Sequence, residues 1–236
     1  MGSVSIMKAG FWPSFNNQAL LAYNRTFSAG IDYQNRFNIS ELGIRTAGVV
    51  IPAGKTSVGI IYSHAGYSEF RREMTGIACG LNLLENIAGG VQVEYFSERA
   101  SGEYQRKQSL TFEAGLSIRP SETITIGIHT FNPLPNSIRK AYLPSSLTAG
   151  LGIELNKALF AGAEAEMSSE DKLVLRTGFE YQTIENLWLR GGFSTENTSF
   201  SFGLGYLFKS LKLDLSFSTH EKLGLTSGAS IVFKIR

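Results

Sequence analysis

Cysteine is nearly absent: Cys79 stands alone. It excludes an internal disulfide and, with no metal-ligand neighbours in sequence, a zinc-scaffold reading. Charge is also scarce. Asp, Glu, Lys and Arg make up 18% of the chain, below the roughly 25% usual in soluble domains. No sign dominates, since the net charge is +2 with acids and bases interspersed, and a nucleic-acid surface would need clustered Lys and Arg. Long apolar runs are missing too, although 43% of the residues are hydrophobic. No stretch approaches the ~20 consecutive apolar residues of a membrane-spanning helix. Finally, Met1 and its neighbours lack a basic region followed by an apolar core, so no signal peptide is read here, and the expectation is a mature or recombinant form.

What is present is alternation. In the segment 211–218, Leu211, Leu213, Leu215 and Phe217 point one way, and Lys212, Asp214, Ser216 and Ser218 the other. Phe200, Phe202, Leu204, Tyr206 and Phe208 repeat the pattern, as do Leu225, Ala229, Ile231, Phe233 and Ile235. A strand separates such sets onto two faces, whereas a helix scatters them. Runs of this kind recur about every 15 residues over the whole chain and total about fourteen. Their apolar faces are almost free of charge, and their polar faces are rich in Gly and Ser. A soluble barrel or sandwich would point its apolar face inward and carry charge outside. The pattern therefore predicts an all-β fold, a transmembrane antiparallel β-barrel of about 14 strands.

The connections support it. Tight turns are expected at Pro52, Leu84, Arg119, Asn156, Thr183 and Lys209. The intervening links include the longest, over 64–73, 97–108 and 132–146. Short turns at one rim and longer loops at the other is the barrel pattern, with the short turns periplasmic. Tyr62, Tyr95, Tyr181 and Tyr206 suit interfacial girdles.

Before the first strand lies Ala9-Gly-Phe-Trp-Pro-Ser-Phe-Asn-Asn-Gln-Ala-Leu-Leu-Ala22. It resembles the F-N-N-P-A-G-L-A segment that opens barrels of the FadL-like outer-membrane superfamily. It is similar in particular to the Bacteroidota branch containing the PorV and PorQ secretion proteins. Residues 193–215 resemble the closing strands of that branch. The resemblance implies a plug over residues 1–25, carried by Phe11, Trp12, Phe15, Asn16 and Asn17, and a barrel over 26–236. The chain departs from the motif at Gln18, where Pro is usual, and at Leu20, where Gly is usual. It also ends on Phe233-Lys-Ile-Arg236 and not on an aromatic residue.

Inward charges form an uneven ring. Acids fall on the middle strands (Glu94, Glu113, Glu154, Glu164, Glu166) and bases on the later ones (Arg176, Arg190, Lys209, Lys212, Lys234, Arg236), with Glu180 and Asp214 among the latter. Two readings stand: a transverse field in an open pore, or lateral pairs such as Glu180 with Arg190 and Glu164 with Arg176 in a closed lumen. His129 faces inward without a triad partner, and His64 and His220 lie at loop edges without metal-site spacing.

The chain is thus read as no enzyme, with no cofactor or metal and no nucleic-acid partner. Outer-membrane lipid, lipopolysaccharide and larger outer-membrane proteins are its expected partners. The resemblance implies an accessory or scaffold subunit of an outer-membrane secretion or assembly machine. The alternative is a FadL-like channel for hydrophobic small molecules, with an apolar pocket near Phe11, Trp12 and Phe15 and a lateral opening at a kinked strand. A plain porin is a third possibility.

Overall fold

The computed structural model describes residues 1, 3–100, 107–133, 143–170 and 173–235. Fourteen strands follow one another: β1 (Ser28–Asn35), β2 (Ile44–Ala53), β3 (Thr56–Gly66), β4 (Phe70–Asn82), β5 (Ile87–Ala100), β6 (Lys107–Ile118) and β7 (Ile124–Phe131). The second half comprises β8 (Ser146–Asn156), β9 (Leu159–Ser168), β10 (Leu173–Ile184), β11 (Leu187–Ser194), β12 (Ser199–Phe208), β13 (Leu211–His220) and β14 (Gly224–Lys234). Each pairs with its sequence neighbours, and β1 pairs antiparallel with β14 to close the barrel. Closure leaves no free sheet edge, as a membrane-spanning sheet requires.

The alternation read from the sequence is the alternation of the walls. Leu211, Leu213, Leu215 and Phe217 are 37–46% exposed on the outside, a far larger apolar exterior than a soluble monomer tolerates. Tyr33, Tyr62 and Tyr95 face outward toward the loop rim, and Tyr181 and Tyr206 toward the turn rim. These are two belts of amphipathic rings bounding the apolar band. All six expected tight turns are present at one rim.

The expected long link over 64–73 is not a loop. Strands β3 and β4 run past it, and Tyr67 N–H closes onto Phe70 O at 2.7 Å. Gly66 supplies the φ of +108° this turn needs, where a Cβ would run into the Phe70 carbonyl. His64 accordingly sits within β3, opposite Arg45 and Glu73. Lys209 is no lumen residue either. It occupies the β12–β13 turn at φ 53° and its ammonium lies over the Phe208 ring. Arg236 falls outside the described residues.

Residues 3–24 fill the lumen with an irregular segment containing two 3₁₀ turns, Trp12–Phe15 and Gln18–Tyr23. Pro13 opens the first turn, where its missing N–H costs nothing. The Asn17 side chain caps the second by accepting from Ala19 N. The only large apolar clusters among the described residues join this segment to the wall. Phe11, Phe15 and Leu21 pack on Val50, Ile61, Ala78 and Val232, while Val4, Ile6 and Met7 pack on Phe160.

Candidate functional site

The wall is built to receive the plug. Glycines occupy inward positions wherever its backbone comes closest. A Cβ on Gly80 or Gly90 would strike the Gln18 backbone, one on Gly115 the Asn17 side chain, and one on Gly127 the Ile6 carbonyl. This stripe was visible in the sequence as Gly recurring on the polar faces. It marks the plug's path, which the alternation alone could not trace.

Polar contacts fix the register. Glu164 accepts from the backbone N–H of Ser5 and Ile6 at 2.6 and 2.8 Å. Asn17 donates to Ile6 O at 2.8 Å and Leu116 O at 3.2 Å. Gln18 donates to Glu113 at 2.5 Å, so the departure from the motif's Pro is a latch between plug and wall. Lys8 meets Glu180 at 2.7 Å. Asn16 is exposed above the first 3₁₀ turn and lines a cavity on the loop side.

The lumen charges pair laterally. Arg190 bonds both Glu180 and Asp214 at 2.5 Å, and with Lys8 they form a ladder from the plug across β10, β11 and β13. Arg176 faces Glu164 in register but bonds Glu166 (2.7 Å) and Glu196 (3.3 Å), because Glu164 is taken by the plug. Lys212 lies over the Trp188 ring at 5.5 Å. His129 stands 3.2 Å from Glu113. Glu154 is apart from these and lines a turn-side cavity together with Arg119 and Glu85. An acidic wall opposing a basic one is therefore not what the fold makes of these residues. Glu94 and Glu113 stand outside this pairing, with no Arg or Lys partner among the described residues.

Two polar cavities flank the plug, about 470 Å³ on the loop side and about 610 Å³ on the turn side. They share no lining residue: Ile6 borders the first and Met7 the second.

A different feature lies on the outer wall. An apolar groove of about 490 Å³ runs over β14, β1, β2 and β3, bounded by Ile31, Ile60, Tyr62, Ile231 and Phe233, with Ala29 and Ala47 as its floor. It continues toward the loop rim into a second hollow of about 670 Å³ that ends at Arg45 and His64. Directly inside the floor, Gly30 and Gly48 are register partners. The Phe11 ring abuts Gly30, and Phe15 abuts Gly48 and Gly59. Only backbone separates the groove from an aromatic cluster of Phe11, Trp12 and Phe15, whose ring centroids lie 4.7–6.5 Å apart.

The expected apolar pocket is thus present, but outside the wall and not around the aromatic residues. The expected kinked strand is not. Pairing from β14 through β3 is continuous, and the register shifts of the described strands lie at Gln182–Ile184 and Glu154–Asn156.

No family model and no curated protein matches the sequence. Solved structures do resemble the fold. A TodX variant, a monoaromatic hydrocarbon channel, superposes with a TM-score of 0.75 at 12% identity, over 98% of this chain and 95% of its own. A FadL homologue of Pseudomonas aeruginosa gives 0.69 at 13% identity, over 99% and 95%. The Acinetobacter baumannii outer-membrane protein Omp33 gives 0.62 at 10%, over 89% and 98%. The barrel is thus FadL-like in architecture. These structures give no support to the PorV/PorQ-like branch in particular.

Proposed function

We propose that this protein is an outer-membrane channel for small hydrophobic molecules, which exchange between the apolar groove on the outer wall and the aromatic face of the plug. The observation that carries this reading is the wall at Gly30 and Gly48, apolar on both sides and reduced to backbone between them. A solute partitioned into the groove loses little on crossing to Phe11 and Phe15, since both environments are apolar. In this conformation the wall is closed by its ladder hydrogen bonds, so passage requires local parting of β1 and β2 or a shift of the plug. Solved structures with the same fold include a toluene transporter of Pseudomonas putida, and toluene is a small apolar solute of the kind this groove would take.

The short turns and the entrance of the plug lie at one rim, and we place that rim in the periplasm. A scaffold role in a secretion machine finds no specific support in the geometry. The plain porin reading fits poorly with a lumen divided by the plug and lined by paired charges. The test is uptake of toluene and of a long-chain fatty acid by liposomes carrying the full chain. Uptake above empty vesicles is expected, and permeation equal to empty vesicles removes the proposal.

A further inference from the structure

Where the plug meets β5 and β6, the hydrogen bonding is lopsided. Gln18 donates its amide nitrogen to Glu113 at 2.5 Å, and Gln92 donates its own to Glu94 at 2.7 Å. Both amide nitrogens are therefore committed, and three oxygens are left over. Gln18 Oε1, Gln92 Oε1 and Glu94 Oε2 have no hydrogen-bond partner among the described residues. Their residues are 0%, 1% and 3% exposed, and a buried acceptor without a donor is costly enough to be rare. All three orphans are acceptors, so what is missing is a positive or donating group.

Charge points the same way. Glu94 lies opposite Thr111 in the β5–β6 ladder, two residues from Glu113 on the same inner face, and among the described residues the one basic side chain bonded to either is His129. The guanidinium groups of Arg176 and Arg190 and the ammonium of Lys8 are held by other acids. Two buried carboxylates side by side are unfavourable unless a counter-charge accompanies them.

We propose that Glu94 and Glu113, with the side-chain oxygens of Gln18 and Gln92, form a binding site for a hard cation of the calcium type. The donor set is oxygen only, two carboxylates and two amide carbonyls, which suits calcium, magnesium or sodium and does not suit zinc. Among the described residues no three His, Cys, Asp or Glu side chains are grouped to hold a metal, so the two amides are required to complete the set. Access runs through the loop-side cavity, which Glu113 and His129 line. Because Gln18 belongs to the plug and the other three to the wall, an ion bound here would tie plug to wall whatever solute the barrel carries.

The experiment uses the full chain in detergent, stripped with a chelator and titrated separately with calcium, magnesium and sodium. A saturable rise in melting temperature is expected. E94Q, which keeps the shape and removes one charge, is expected to weaken the half-saturating calcium concentration by about tenfold or more. Terbium luminescence of the wild type, displaced by calcium, gives a second readout should E94Q fail to fold, and Q92A a second variant. Three results would overturn the proposal: no saturable response to calcium, magnesium or sodium; an equal response in E94Q; or stabilisation on acidification alone with no response to any cation, which would assign the cluster to a shared proton.

Discussion

Lys8 reaches Glu180 at 2.7 Å, and the opposite oxygen of that carboxylate holds Arg190 at 2.5 Å. One wall residue thus serves both the plug and the barrel's own charge ladder. Removing Lys8 leaves Glu180 with Arg190, whereas removing Glu180 strips two cations of a partner. K8M should therefore cost about 1 kcal/mol, and E180Q about 2–3 kcal/mol. Urea unfolding in micelles measures both, and an equal or inverted order would contradict the ladder.

The inner glycines give a sharper test. G90A places a methyl group against the Gln18 backbone, which cannot yield as a flexible side chain would. The barrel strands should still form, but residues 3–24 should become accessible to protease. G203A is the control, since its Cβ would meet only ordinary contacts at 3.4 Å. Equal protection of the plug in the two variants would show that the stripe does not position it.

Filling the outer groove probes the transport reading. A47W should block the floor between Ile31 and Tyr62 and lower solute uptake severalfold. Because the residue faces lipid, the unfolding free energy should change by only about 0.5 kcal/mol. Undiminished uptake would place the route elsewhere.

The two faces of β13 offer a test of membrane orientation. Leu215 faces outward and Ser216 the lumen. L215R should lose about 2–4 kcal/mol of folding free energy in lipid vesicles, and S216R much less. Comparable losses would argue against an outward lipid face.

The barrel was legible because a wall between lipid and water imprints a period of two on every strand it contains. Where both faces meet water the imprint fades. Arg71, Arg72 and Glu73 look like a loop for that reason, although β4 runs through them. The plug carries no period at all, so its partners were hidden. Hairpin register alone pairs Glu180 with Arg190 correctly. The same logic assigns Glu164 to Arg176, and only the plug's backbone N–H groups at Ser5 and Ile6 show why that pair does not form. Gln18 stood out as a departure from a motif, but its meaning depended on Glu113, 95 residues away. The outer groove was invisible because Ala29 and Ala47 look like ordinary small residues until their register places them diagonally across the ladder, flanking the Gly30–Gly48 pair.

The seam of the barrel carries a last consequence. Ile235 N–H donates to Phe27 O at 3.0 Å, so the final strand zips onto the first just where the plug enters. A filled cylinder poses a problem of order: its contents must be inside before the last edge closes, or be threaded afterwards through a rim. Here the contents directly precede the first edge in the chain, and Phe11 rests against Gly30 of that edge and beside Val232 of the last one. Enclosure and closure thus share the same contacts. A chain that loses these seam contacts of Phe11, as distinct from one whose plug is displaced deeper in the lumen, should linger as an open sheet with two unsatisfied edges, a state that invites pairing with another copy.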